Sequence, residues 1–105
     1  MIHRTGTKDI IFQSLVELCQ KTAVDKISVS DIMENCGYKR ETFYYYYKSK
    51  EDLIVSALRD NVQKNHEIYS EERSWEYVMR KNLEFCEKHR HLMIWLIFYN
   101  YAVIG

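Results

Sequence analysis

Apolar residues recur three and four positions apart along most of the chain, which is the spacing of one face of an α-helix. Ile11, Leu15, Leu18 and Cys19 make such a stripe across residues 8–21, with Thr7 placed to cap its start. Residues 22–27 show no periodicity and read as a linker. Ser28 followed by Asp31 matches a capping box, which opens a second helix over 29–35 with Ile32 and Met33 inward. Cys36 and Gly37 end it, because glycine adopts the left-handed conformation at a helix C-terminus at little cost. A third helix is predicted over 40–47, and a second capping box, Ser49 with Asp52, opens a fourth. That fourth helix extends to about residue 69 and lines up Leu53, Ile54, Ala57, Leu58 and Val62. Past the polar stretch 70–74, Trp75, Val78, Met79, Leu83, Phe85 and Cys86 predict a fifth helix to about residue 88, and a sixth starts near His91.

Composition supports an all-α fold. A chain of 105 residues with no proline and three glycines lacks the punctuation that sheets and long loops need. The pattern divides into a three-helix, helix-turn-helix part over 1–50 and a helical linker with part of a C-terminal regulatory or dimerisation domain over 51–105. The apolar run 92–104 is interrupted by Asn100 and falls short of the roughly 20 residues that span a bilayer. It reads as a buried helix or a dimer face, not a membrane anchor. Because the chain stops at Gly105 with no polar tail after this run, it reads as truncated. Cys19, Cys36 and Cys86 form no closely spaced pair, which fits a reduced, cytoplasmic protein.

Net charge is zero, with fifteen basic and fifteen acidic side chains, so no bulk positive field marks a nucleic-acid binder. The signal is local. His3, Arg4 and Thr5 form a polar arm, and the third helix carries the consecutive aromatics Phe43, Tyr44, Tyr45, Tyr46 and Tyr47. Successive helical residues are about 100° apart, so these rings cannot all be buried. Phe43 and Tyr47 share a face and belong to the core, Tyr44 and Tyr45 point away, and Tyr46 lies at the boundary. Lys39, Arg40, Lys48 and Lys50 flank them, opposed only by Glu41. Ammonium and phenol groups donate to phosphate oxygens, Arg40 has the reach for a guanine edge, and a tyrosine ring suits a thymine methyl. Ser30 is placed to face a DNA backbone, and the first turn of the fourth helix, with Lys50, favours a phosphate. The competing reading is an aromatic patch that binds another protein, in a helical interaction module that has the same fold and does not bind DNA productively. Ser28 and Ser49 are read as helix caps.

Residues 27–33, then Gly37, then Arg40-Glu41-Thr42-Phe43-Tyr44 and Lys48-Ser49-Lys50-Glu51-Asp52-Leu53 closely resemble the DNA-binding domain of the tetracycline-repressor (TetR) family, over about residues 7–58. The resemblance implies a homodimeric, cytoplasmic bacterial regulator that binds double-stranded DNA at a palindromic operator. It is usually a repressor released by a small-molecule effector. By position, Arg40, Glu41 and Tyr45 look like base-reading residues; Thr42, Tyr44, Tyr46 and Lys50 look like phosphate contacts; Ser30 faces DNA. Two departures stand out: Tyr46 where the family often has histidine, and Lys39 where a serine or threonine often caps the third helix. Residues 27–53 also look like a subgroup that regulates dihydroxyacetone kinase operons, some of whose members are activators.

Other chemistry is thin. Cys86 and His89, with His91 nearby, suit zinc by ligand type, but a fourth ligand is missing and Cys86 fits the apolar stripe, so no metal is expected. No nucleophile with an adjacent base, glycine-rich phosphate loop or carboxylate pair is recognisable, so neither an enzyme nor a cofactor is expected. Trp75, Phe85, Trp95 and Phe98 are candidates for lining an effector cavity, against the plainer reading that they are core.

Overall fold

The computed structural model describes residues 6–69 and 75–104, except for the side chains of 68, 69 and 100–104. The predicted polar arm at His3, Arg4 and Thr5 and the stretch 70–74 lie outside the described residues. Six α-helices are present among them: α1 (Thr7–Leu18), α2 (Val29–Cys36), α3 (Arg40–Tyr46), α4 (Lys50–Tyr69), α5 (Trp75–Lys88) and α6 (Arg90–Ile104). The fold is all-helical, and no described helix is long and apolar enough to cross a membrane. The chain divides into two units, Met1–Leu53 and Ile54–Gly105.

In the first unit the local chemistry sets most helix ends. The Ser28 amide donates to Asp31 Oδ2 at 3.0 Å and the Asp31 amide donates to Ser28 Oγ at 3.0 Å, so the box that opens α2 is complete. Gly37 closes α2 at φ 81°, its amide and that of Tyr38 donating back to the carbonyls of Glu34 and Met33. At the start of α4 the box is offset. The Asp52 amide donates to Ser49 Oγ at 3.1 Å, but Asp52 Oδ2 accepts from the Lys48 amide at 2.9 Å rather than from Ser49.

Three expectations need correction. Gly6, not Thr7, holds the N-cap position of α1, with Thr7 already inside the first turn. The helix stops at Leu18, short of residue 21, because the amides of Gln20 and Lys21 turn back to carbonyls three residues earlier and tighten the chain. The supposed linker at 22–27 contains a 3-10 turn, Val24–Lys26, that buries Val24 and Ile27. Two large apolar side chains in a six-residue stretch are too few to show a period, yet both anchor the connection.

α2 packs on α1 and α3 packs on α2. Ile11, Leu15, Ile32, Met33, Phe43 and Leu53 are among the fully buried side chains of this unit. One polar group joins them: buried Ser14 donates from Oγ to the Ile32 carbonyl at 2.6 Å. Asn35 Nδ2 donates to Ser14 Oγ at 2.9 Å and to Glu17 Oε1 at 3.0 Å, fixing the crossing of α1 and α2 by hydrogen bonds as well as apolar contact.

In the second unit α5 packs on α6, and the chain passes between them through the single residue His89. Val78, Leu92 and Leu96 are buried, whereas Met79 and Leu83, expected on the inner face of α5, are exposed. Within α5 the apolar stripe is broader than the surface that covers it.

Candidate nucleic-acid interface

α3 is seven residues long and divides its aromatics by angle. Phe43 is fully buried and Tyr47 nearly so; Tyr44 is 48% and Tyr45 81% exposed, and Tyr46 is between. The two inward rings lie 5.5 Å apart, and Lys8 of α1 places its ammonium 5.9 Å from the Tyr47 ring centroid. Outward, the Arg40 guanidinium lies 5.6 Å from the Tyr44 ring centroid, and Tyr45 meets Tyr46 edge to face at 4.9 Å. Buried rings thus hold the helix down while a cation and two phenols face solvent beside one another.

The start of α3 has no side-chain cap; Lys39 takes the N-cap position in an extended conformation. Ser30, near the start of α2, comes together with Lys39, Arg40 and Glu41 around a depression of about 470 Å³. Tyr38 and Glu34 line the same depression. Sequence reasoning missed both. The only available signal was the position of Tyr38 directly after the glycine that reverses the chain. Thr42 is half-buried and Lys48 exposed in the bend before α4.

Lys50 differs from its neighbours. Its Nζ donates to the Val24 carbonyl at 2.5 Å and to the Ile27 carbonyl at 2.7 Å, so its ammonium is engaged with the α1–α2 connection. Burial pushes its pKa below the ordinary lysine value, against the opposing pull of Asp25, Cys19 and Asp31. Burial likewise pushes the Cys19 thiol up, with Lys50 pulling it down. Asp31 is held below the usual carboxylate range by its backbone and side-chain hydrogen bonds with Ser28.

The aromatic residues predicted to line a cavity do not gather at one place. A groove of about 810 Å³ runs between α4 and α5, with Leu58, Val62, Trp75 and Val78 on its apolar walls and Arg59, His66 and Asn82 among its polar groups. Of the four predicted lining residues only Trp75 is there. Phe85 packs edge to face on His89 at 4.7 Å, Trp95 lies 5.2 Å from Tyr99, and Phe98 is 69% exposed. Helical spacing placed these rings on faces but did not say which faces meet.

Two short helices joined by the three-residue turn 37–39, the second presenting polar and aromatic side chains outward, make a helix-turn-helix on an all-helical body. Residues 11–57 match the family model for bacterial regulatory proteins, tetR family. It is similar to the Bacillus subtilis uncharacterized HTH-type transcriptional regulator YvdT, at 26% identity over 86% of this chain and 50% of that protein. It is also similar to the Lactococcus lactis HTH-type dhaKLM operon transcriptional activator DhaS, at 42% identity over 46% of this chain and 26% of that protein. A third relative, the Bacillus subtilis uncharacterized HTH-type transcriptional regulator YwcC, is 28% identical over 94% of this chain and 45% of its own length. The chain spans at most about half the length of these relatives. No solved structure matches it significantly.

Proposed function

We propose that this chain is the DNA-binding part of a sequence-specific transcriptional regulator, with α3 entering the major groove of double-stranded DNA. The observation that carries the reading is the division of α3: Phe43 and Tyr47 are buried, while Arg40, Tyr44 and Tyr45 face solvent. Arg40, Glu41 and Tyr45 reach base edges; Lys39, Thr42, Tyr44, Tyr46 and Lys48, with Ser30 from α2, hold the phosphates. The match of residues 11–57 to the tetR family model and three relatives named as transcriptional regulators support it. The regulator acts in the cytoplasm as a homodimer on a palindromic operator, its half-sites spaced by about one helical turn or a multiple of it. It represses by occupying the operator and is released by a small-molecule effector in the α4–α5 groove, whose apolar walls and few polar groups suit an amphipathic ligand.

The test is binding to duplexes from the DNA flanking the gene across a salt series. A steep fall of affinity with salt, reduced by Lys48→Ala, is expected. Binding to no duplex, or binding indifferent to both salt and Tyr45→Ala, leaves the aromatic face as a protein-docking surface instead. DhaS is named an activator. Transcription from a bound promoter, with and without the regulator, reads the sign of control.

A further inference from the structure

The connection between α1 and α2 turns Val24 and Ile27 inward and thereby takes their carbonyls partly out of water. Partly buried carbonyls need donors. The Val24 carbonyl already accepts from the Ile27 amide at 3.2 Å, and the Lys50 ammonium adds a second donor there and one at the Ile27 carbonyl. Lys50 is the first residue of α4, and Val24 and Ile27 lie 26 and 23 positions before it. The next residue after Ile27 is Ser28, the cap of α2. One side chain therefore ties the start of α4 to the start of α2, and both helices of the turn motif lie within the loop so closed. An ammonium has three protons, and two of those on Lys50 point at carbonyls.

We propose that Lys50 is a positioning residue: it clamps the α1–α2 connection to the start of α4 and so sets α2 and α3 for DNA, without itself neutralising a phosphate. This rests on the DNA-binding reading above. Two measurements separate the clamp from that reading. Without DNA, amide hydrogen exchange in the full chain is expected to rise about tenfold or more across residues 23–28 in Lys50→Ala, and to stay unchanged in Lys48→Ala. With a duplex that the wild type binds, Lys50→Ala is expected to weaken affinity while leaving the slope of log affinity against log salt unchanged. Removing a phosphate contact instead lowers that slope by about 0.9.

Unchanged exchange at 23–28, or a slope reduced by about 0.9, overturns the proposal. If Lys50→Ala does not fold, the wild-type ammonium decides: slowly exchanging Lys50 Nζ protons in nitrogen-15 spectra support the clamp, and protons that exchange as fast as those of Lys48 overturn it. If the wild type binds no duplex, the DNA-binding reading falls, and exchange at 23–28 still decides whether the clamp exists.

Discussion

Phe43 and Tyr45 lie two positions apart on α3 and point to opposite sides of it, the first fully buried and the second 81% exposed. At 100° per residue the two directions differ by roughly 200°, so a helix of seven residues serves both as a core element and as a presented surface. The two substitutions should separate these roles. Phe43→Ala is expected to cost about 3–5 kcal/mol of stability and to abolish cooperative unfolding if the first unit is marginal. Tyr45→Ala should change stability by less than about 0.5 kcal/mol yet weaken operator binding. Urea denaturation of both variants, with DNA titration of the second, checks the pair; equal losses of stability would contradict the division.

Gly37 stands at φ 81° with open space around the position of a β-carbon. Its replacement therefore meets no neighbour, and any cost is conformational. Gly37→Ala should lose about 1–2 kcal/mol, and Gly37→Asn distinctly less, since asparagine visits the left-handed region more readily. Thermal melts of the two variants give the comparison. Equal stability of Gly37→Ala and wild type would mean that the turn relaxes to another conformation.

His89, buried between α5 and α6, has its pKa lowered by burial first and then by Lys88 and His91. The folded value lies below the unfolded one, so the unfolded chain takes up the proton first as pH falls. The stabilising contribution is complete above the ordinary imidazole value and is lost as pH falls through the folded one. Urea midpoints measured from about pH 7.5 to about pH 5 should fall on acidification in the wild type and fall less steeply in His89→Gln. Parallel profiles would show that His89 is not the group responsible.

How much of this was legible beforehand depends on how far apart the interacting residues lie. The Ser28–Asp31 box, the glycine stop at Gly37 and the angular sorting of the α3 aromatics depend on residues within four positions of one another, where helix geometry alone dictates who meets. Sequence by itself therefore determined six helices, the turn motif and which rings face out. Tertiary structure alone decided that Ser14 meets Asn35 at a separation of 21, that Val24 and Ile27 become anchors, and that the Lys50 ammonium reaches back to their carbonyls. It likewise decided that Trp75, and not Phe85, lines the α4–α5 groove. Such contacts depend on how helices cross, and a crossing is chosen by the packing of whole faces, which periodicity marks but does not pair.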